Sequence, residues 1–376
     1  MAKRKAILLY AASDNCADML YFSKIFVPDP FWAISCNGKK YAVVSPLEYS
    51  RVLRSGVFDQ VWCDQDIFDQ IKKKDSSDSI TPVSMVLFFQ KTLGIDYFVL
   101  SEQFPAGIAM NLIEKRISFR CQKNLFPERV QKTKDECKMI AQGNAASARG
   151  IAKAKEILEK SVIKGDRLIY QNRALTSESL RQAIDIACLE AGAVAKDTIV
   201  AGGKQACDPH ERGTGLLRPH QLIIVDVFPR FTSHGYHGDM TRTFLKGSAS
   251  ESQKKLVATV RKAQKLAFSK IKSRIHCRSI HQTVKKYFFQ QDYQTEKREG
   301  VYQGFFHGTG HGLGLEVHEA PSLGNLKDVL KTGQVITVEP GLYYPDIGGC
   351  RIEDVVVVKS DGYKKLSSAP YKWILL

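Results

Sequence analysis

The chain has 376 residues, of which 44% are hydrophobic and 25% are charged, close to the usual values for globular proteins. This length suggests two domains and is sufficient for cores that need no disulfides to stabilise them. The composition excludes a disordered or fibrous protein, and no uninterrupted apolar run approaches the roughly 18 residues that a membrane-spanning helix requires.

Lysine and arginine together number 55, against 39 aspartates and glutamates, and the net charge is +16. A charge of this size is compatible with nucleic acid, an anionic membrane surface or simply a basic host proteome. The basic residues are spread along the sequence, with no dense run interleaved with aromatic residues. We therefore expect neither a nucleic-acid partner nor a membrane partner.

The nine cysteines are odd in number and never have CxxC spacing, which indicates reduced thiols in a reducing compartment. Residues 1–12 imitate a signal peptide, but the apolar stretch is short and continues directly into Ser13-Asp14-Asn15. We interpret this stretch as a first β-strand and expect a cytoplasmic protein.

Up to about residue 130 the chain reads as an α/β region, with apolar segments at residues 5–10, 31–36, 40–44, 83–93 and 95–100. Asn37-Gly38, between two of the strand-like segments, predicts a β-hairpin. A polar stretch at residues 127–135 indicates a domain boundary, giving predicted domains of 1–130 and 131–376.

The second region opens with a helical pattern over residues 136–160, for which Thr133 or Asp135 is a suitable N-cap. A second helix is predicted over residues 177–191, ending at Gly192. From Thr198 onward the sequence is rich in strand-like segments, and the residues able to support catalysis lie there.

Five metal-ligand residue types lie on four strand-like segments: Asp226, Asp239, His311, Glu339 and Glu353. Asp226 ends a run that reads as a fully buried strand, so its charge needs a partner or a metal ion. Asp239 begins the next strand. If the two strands pair as a hairpin, the aspartates would face one another at the same level and could hold two cations.

The remaining three candidates have equally specific settings. His311 lies in a glycine-rich segment with His307 before it and His318 after it, which suggests one ligand and one or two histidines facing a substrate. Glu339 ends a strand-like run before Pro340-Gly341, and Glu353 precedes the apolar run at residues 355–358.

Taken singly, a strand carboxylate is more often half of an ion pair, here with Arg242 or Arg351, than a metal ligand. Five such residues in order favour a metal site. Four carboxylates and one imidazole suit manganese, iron, cobalt or zinc in a two-metal site better than structural zinc. Such metals lower the pKa of a bridging water and polarise a carbonyl, so the expected reaction is amide hydrolysis.

These residues make the chain similar to the pita-bread metallopeptidases, in the branch of Xaa-Pro aminopeptidases and Xaa-Pro dipeptidases. The segments HGTGHGLGLEVHEAP, TVEPGLY and GGCRIED within residues 307–357 carry the resemblance, which extends back to about residue 136. It implies an α/β (α+β) protein with a C-terminal pita-bread domain. The first 130 residues resemble the family's smaller creatinase-type α/β domain by length and position.

By this resemblance Asp226 would bind one metal ion, His311 and Glu339 the other, and Asp239 and Glu353 would bridge both. A hydroxide between the metals would attack the scissile carbonyl, with Glu339 as the proton shuttle. The implied cofactor is a pair of divalent ions, manganese in the first place, with cobalt, zinc or iron as alternatives.

The resemblance also implies roles for residues around the metals. His318 would stabilise the tetrahedral intermediate, and His210 would be a second catalytic histidine facing the substrate. His307, Tyr343 and Arg351 match further positions of the active site, and we expect them to help bind the substrate.

Three features depart from the family pattern. The spacing from Asp226 to Asp239 is two residues longer, around Ser233-His234, and an even insertion keeps both side chains on one face of the hairpin. Phe228 stands where the family has glycine and would narrow the site near the first metal. Gly308 stands where this branch often has a basic residue, which bears on substrate preference.

The expected activity is hydrolysis of the Xaa-Pro bond at the N-terminus of peptides, with Xaa-Pro dipeptidase as the alternative within the fold. The additional N-terminal region argues against a methionine aminopeptidase, and the five ligands argue against a creatinase-like hydrolase. A catalytically silent pita-bread binding protein is the alternative from another class. Proline-containing peptides are the expected partners, and a homodimer is the expected assembly.

Overall fold

The computed structural model describes residues 3–73 and 81–376. The chain divides into two compact units, Met1–Pro127 and Glu128–Leu376. The creatinase-type character of the first unit stays a prediction.

The described residues of the first unit form one six-stranded sheet with helices around it. Its strands are β1 Lys5–Ala11, β2 Phe31–Cys36, β3 Lys39–Val44, β4 Gln60–Cys63, β5 Tyr97–Ser101 and β6 Phe119–Gln122, and its helices are α1 Ala17–Ser23, α2 Pro46–Arg54, α3 Asp64–Lys72, α4 Pro82–Leu93 and α5 Ala106–Glu114. The strand order is β4-β3-β2-β1-β5-β6. Strands β1, β2 and β3 form an antiparallel meander, and the other neighbouring pairs are parallel.

Side-chain alternation explains why this sheet is covered on both faces. Leu8 and Leu9 of β1 point to opposite faces and belong to two separate apolar clusters. Asn37 and Gly38, with φ of 51° and 74°, form the two-residue turn between β2 and β3. The predicted hairpin is confirmed.

The second unit contains four α-helices: α6 Lys134–Lys160, α7 Ser177–Glu190, α8 Glu251–Lys270 and α9 Cys277–Gln290. Thr133 and Glu136 form a capping box at the start of α6, in which the side chain of each residue accepts a hydrogen bond from the backbone N–H of the other. The chain leaves α7 at Gly192, whose φ is 86°. The two helices predicted in this region are confirmed to within two residues.

The strands of the second unit are β7 Val162–Lys164, β8 Arg167–Tyr170, β9 Arg173–Ala174, β10 Ala193–Val194, β11 Ile199–Gly202, β12 Ile223–Val227, β13 Arg230–Phe231, β14 Met240–Lys246, β15 Glu296–Arg298, β16 Val301–Gln303, β17 His311–Gly312, β18 Glu319–Ser322, β19 Val335–Val338, β20 Gly341–Tyr344, β21 Gly348–Arg351, β22 Asp354–Val358, β23 Tyr363–Lys365 and β24 Ile374–Leu375. Two sheets dominate, with orders β11-β12-β14-β24 and β18-β17-β19-β22-β23. Smaller sheets pair β7-β8-β9, β10-β13, β15-β16 and β20-β21.

Each large sheet buries one face under its own pair of helices. Leu180 of α7 and Val225 of β12 belong to one apolar cluster with residues of α6. Leu256 of α8 and Ile336 of β19 belong to another, with residues of α9 and β22. The unit is therefore a layered arrangement of helices on sheets, and the expected mixed α/β class is confirmed.

The same alternation directs the polar residues of these strands away from the helices. Val225 and Val227 lie in the cluster under α6 and α7, so Asp226 between them points to the other face of the sheet. In β19, Ile336 and Val338 face α8 and α9, so Glu339 at its end points away from them. These opposite faces supply the candidate site.

Within residues 3–73 and 81–376, no helix has both the length and the apolar character needed to cross a bilayer. The nine cysteines, all of which lie in the described residues, form no disulfide with one another.

Candidate metal centre

The structure brings the five predicted ligands together from β12, β14, β17, β19 and β22 or from the residues next to them. His311 Nε2 lies 3.2 Å from Glu339 Oε1 and 3.8 Å from Asp239 Oδ2. Donor atoms of Asp239, His311 and Glu353 all lie within 4.8 Å of one another. Asp226 is near enough that its charge raises the pKa of both Asp239 and Glu353.

The pairing of β12 with β14 differs from the expectation in one respect. Asp226 lies opposite Thr241, not opposite Asp239. The expectation that the aspartates face one another at the same level was therefore wrong. Asp239 is two residues from Thr241 and shares its face of the sheet, so it reaches the centre diagonally.

The longer loop between the aspartates is a compact turn. Gly235 N–H donates to the Phe231 carbonyl at 2.8 Å, and the rings of Phe231 and His234 stack with centroids 4.6 Å apart. His234 Nε2 lies 3.1 Å from Gln142 Oε1 of α6. The turn takes up the additional residues, and Asp239 stays on the ligand face.

Helix α6 fixes the position of Asp239 from behind. Fully buried Asn144 accepts the backbone N–H of Asp239 through Oδ1 at 3.1 Å and donates through Nδ2 to the Ile140 carbonyl. The two backbones approach closely, because a Cβ at Gly143 would lie 2.5 Å from Gly238 N. Sequence reasoning did not identify Asn144, although an amide within an alanine-rich buried stripe could have indicated it.

His311 and Glu339 form a charged pair. Burial favours the neutral imidazole, but the hydrogen bond and charge of Glu339 outweigh it and raise the pKa of His311 to about 9. Burial likewise favours the neutral Glu339, yet His311 lowers the pKa of that carboxyl to about 2. The other ring nitrogen, Nδ1, lies 3.1 Å from the Gly312 carbonyl, which orients the ring with Nε2 towards the carboxylates.

The two remaining central carboxyls resist ionisation. Burial raises the pKa of Asp239 well above its usual range, and the charges of Glu353, Asp226 and Glu339 add to the effect. Burial, followed by the charges of Glu339 and Asp226, raises the pKa of Glu353 to about 8. Carboxylates crowded in this way repel one another, and a divalent cation among them would relieve the repulsion.

Two carboxylate oxygens show that the residues fit divalent metal ions. Among the described residues, Asp226 Oδ1 and Glu353 Oε1 are buried without a hydrogen-bond partner. The protein holds the other oxygen of each group, since Arg351 donates to Asp226 Oδ2 at 2.7 Å and Thr241 donates to Glu353 Oε2 at 2.8 Å. Buried unpaired carboxylate oxygens are unfavourable unless a cation takes them, and oxygen ligands suit hard divalent ions.

A chain of hydrogen bonds runs from Asp226 to His307. Arg351 pairs with Asp226 and donates to the Tyr343 hydroxyl at 3.0 Å, and that hydroxyl lies 2.9 Å from His307 Nε2. Tyr343 and Arg351 are 0% and 3% exposed, so they lie behind the site rather than on its open surface. Direct contact of either residue with a substrate stays a prediction.

The two predicted catalytic histidines lie at the rim. His318 is exposed, and its ring is perpendicular to that of His311, with centroids 4.3 Å apart. His210 is also exposed, one residue after Pro209, whose carbonyl accepts from Arg351 at 3.3 Å. Burial lowers the pKa of both His307 and His318, and the nearby charge of His210 makes a smaller contribution in the same direction.

A buried charge cluster holds the turn that carries His318. Glu319 accepts Lys132 Nζ at 2.7 Å, Arg129 at 2.6 Å and the backbone N–H groups of Leu315 and Glu316 at 3.0 and 3.2 Å. Burial would raise the pKa of Glu319, but Lys132 and Arg129 lower it. Sequence reasoning missed this cluster, because Lys132 and Arg129 are 187 and 190 positions from Glu319 in the chain.

A second buried cluster fixes Glu353. Arg242 donates to the Glu353 carbonyl at 2.6 Å and pairs with Asp354 at 2.9 Å. Asp354 also accepts from Tyr371 and Lys365. Arg242, considered from the sequence as an ion-pair partner for a ligand, thus pairs with the neighbouring Asp354 instead.

Comparison with known proteins gives the same family as the sequence motifs. Metallopeptidase family M24 matches residues 138–360, more than half of the chain. A Pyrococcus furiosus protein named Xaa-Pro dipeptidase is 32% identical over 241 residues, which cover 64% of this chain and 63% of that protein. The alignment thus spans slightly less than two thirds of the curated relative.

Solved structures match over nearly the whole chain. A Bacillus anthracis Xaa-Pro dipeptidase aligns with a TM-score of 0.82 and 23% identity, covering 99% of this chain and 95% of that one. A Thermotoga maritima X-Pro aminopeptidase aligns with a TM-score of 0.81 and 20% identity, covering 99% and 98%. The predicted pita-bread fold is confirmed.

Proposed function

The chain belongs to metallopeptidase family M24, and we propose that it is a two-metal exopeptidase that hydrolyses the bond between an N-terminal residue and proline. The observation that carries the proposal is the convergence of four carboxylates and one imidazole, with two buried carboxylate oxygens left unpaired among the described residues. The name of the Pyrococcus furiosus relative supports proline-containing substrates.

In this proposal Asp226 would hold one divalent ion, His311 and Glu339 would hold the other, and Asp239 and Glu353 would be shared between the two. The assignment is supported by the position of these five residues on the sheet faces that point away from the helices. When bound, the ions would polarise the scissile carbonyl and lower the pKa of the attacking water.

The protein groups around the ions move the proton and bind the substrate. The Glu339 carboxylate accepts the proton of the attacking water and passes it to the leaving proline nitrogen. His318, at the exposed rim beside His311, stabilises the oxyanion of the tetrahedral intermediate. His210 and His307 contact the substrate, while Arg351 and Tyr343 keep Asp226 and His307 in place.

The ions in the proposal are manganese, because an oxygen-rich set with one nitrogen suits that ion, with cobalt, zinc and iron as alternatives. The proposed location is cytoplasmic, which the absence of disulfides among the nine described cysteines supports. A homodimer is the proposed assembly.

Two candidate activities, which differ in the length of peptide they accept, are compatible with this site. The first candidate is an Xaa-Pro aminopeptidase, which accepts residues after the proline. The second is an Xaa-Pro dipeptidase, which the name of the curated relative favours.

The test uses metal-stripped protein resupplied with manganese and given Gly-Pro, Gly-Pro-Leu or Met-Ala. Cleavage of Gly-Pro-Leu before proline indicates the aminopeptidase, and cleavage of Gly-Pro alone indicates the dipeptidase. Absence of metal-dependent cleavage of the two proline peptides would overturn the proposal.

Two variants test whether activity depends on the proposed metal ligands or only on the overall charge of the protein. Asp239→Ala removes a central ligand, so we expect loss of activity and loss of the thermal stabilisation that manganese gives the wild type. Asp197→Ala removes an exposed carboxylate whose nearest cation is Arg212 at 3.7 Å, and both properties should be retained. Equal behaviour of the two variants would refute the assignment of the centre.

A further inference from the structure

The net positive charge is concentrated on one helical hairpin. Residues 251–290, which comprise α8, α9 and their connection, contain eleven lysines and arginines and one acidic residue, Glu251. The net charge of this segment is 11 − 1 = +10, out of +16 for the whole chain. About a tenth of the residues thus carries well over half of the net charge.

All eleven basic side chains are exposed. Helices α8 and α9 bury Leu256 and Ile280 in the same apolar cluster, so their outer sides form one continuous layer on the second unit. We call this layer, the exposed side chains of residues 251–290, the α8–α9 surface.

Neighbouring carboxylates do not neutralise this surface. In the part of the chain that the structure describes, Lys254 with Glu251 is the one ion pair that the eleven basic side chains form. The basic residues of α6 behave differently, since Lys153 and Lys160 both pair with Glu156. Unpaired like charges repel one another, and a polyanion on the surface would relieve the repulsion.

The shape of the surface suits a nucleic acid better than a membrane. Helix α8 has 20 residues and is therefore about 30 Å long, the length of about nine base pairs of duplex. Helices that lie on membranes present an exposed apolar face. Within residues 251–290 the one large apolar side chain that is well exposed is Phe289, near the end of α9.

We propose that the α8–α9 surface binds the phosphate backbone of double-helical nucleic acid, without preference for base sequence. Lysine and arginine side chains on a rigid helical layer supply the contacts on which such binding depends. The sequence predicted no nucleic-acid partner because the basic residues form no dense run. The fold changes that expectation, because residues three to eight positions apart come together on two adjacent helices.

The test is fluorescence anisotropy of a labelled 20-base-pair duplex of arbitrary sequence, at 50 and 200 mM KCl, with the intact chain. We expect a Kd on the order of 1–100 μM at the higher salt and clearly tighter binding at the lower, because binding releases counterions. Replacing Lys262, Lys265, Lys285 and Lys286 by glutamine should weaken binding at least tenfold at 50 mM and flatten the salt dependence.

The matched control replaces Lys91, Lys134, Lys164 and Lys196, four exposed lysines outside residues 251–290, by glutamine. It has the same net charge as the first variant and should bind the duplex within about twofold of the wild type. Equal loss of affinity in both variants would mean that binding depends on the total charge of the protein and not on the α8–α9 surface, and it would overturn the proposal. So would unchanged binding by the first variant, or binding to phosphatidylserine vesicles without binding to the duplex.

Discussion

Replacing Lys132 by methionine tests how far the turn carrying His318 depends on buried charge. The Lys132 ammonium and the Glu319 carboxylate are 2.7 Å apart, with side chains 2% and 7% exposed. At an effective dielectric constant of about 20, Coulomb attraction at this distance is about 6 kcal/mol, much of it offset by the desolvation of both groups. Methionine fills similar space but leaves Glu319 with less positive charge.

Glu319 would keep Arg129 and two backbone donors, so we expect a loss of about 2–4 kcal/mol, below that for a fully orphaned charge. For a unit of this size the Tm should fall by about 10 °C. Thermal unfolding of the full chain by circular dichroism measures the shift. Lys134→Met, an exposed neighbour, is the control and should change stability by less than about 0.5 kcal/mol.

A double variant identifies the cause. Lys132→Met together with Glu319→Gln removes both charges, and it should recover part of the stability lost in Lys132→Met, because no buried carboxylate remains short of a partner. A Tm for Lys132→Met within 1 °C of the wild type would refute the reasoning, as would strictly additive losses in the double variant.

Three further predictions concern other buried groups. Asn144→Ala removes the acceptor for the Asp239 N–H, so manganese affinity and kcat should fall about tenfold or more. The control Ser147→Ala, on the same helix, should leave both unchanged. Equal manganese affinities of the two variants in a metal titration would contradict this. Burial, with the charges of Lys285 and His307, lowers the pKa of His281 to about 4. The unfolded chain, with a value near 6.5, then binds more protons, so stability is lost as pH falls from about 6.5 to 4, and His281→Gln should lessen that loss by up to about 3 kcal/mol in urea unfolding. If the free energy of unfolding changed with pH by the same amount in the wild type and the variant, this explanation would be ruled out. In the native protein, exposed Cys121 should react with a thiol reagent at pH 8, while Cys188, Cys277 and Cys350, whose pKa burial raises to about 12, should react only after denaturation, as mass spectrometry of labelled peptides would show.

The sequence indicated those parts of the molecule that depend on local pattern. Asn37-Gly38 predicted a turn because few other dipeptides adopt two positive φ values easily. Asp226 and Glu339 could be identified because a carboxylate at the end of a buried apolar run needs an ion-pair partner or a metal ion, and five such residues in order favoured the metal. Thr133 and Gly192 marked helix ends for equally local reasons.

What the sequence left open depends on distant contacts. The diagonal placement of Asp239 follows from the register of β12 with β14, which sets Asp226 opposite Thr241 and which the spacing of the two aspartates does not determine. The pairing of Lys132 with Glu319 joins residues 187 positions apart. The α8–α9 surface needed the packing of two helices on one core before its charges could be seen as a single layer.

The ion pair between Arg351 and Asp226 has a consequence for how the centre exchanges its ions. The guanidinium is a permanent internal counter-ion, so Asp226 is not an isolated buried anion when no metal ion is bound. The sheet can then stay folded while ions come and go. In the proposed assignment, an ion arriving at Asp226 would find a carboxylate that Arg351 already partly neutralises, so we expect weaker retention there than at an unpaired carboxylate. In the proposed assignment the second ion would meet a similar competitor, because His311 Nε2 already lies 3.2 Å from Glu339 Oε1.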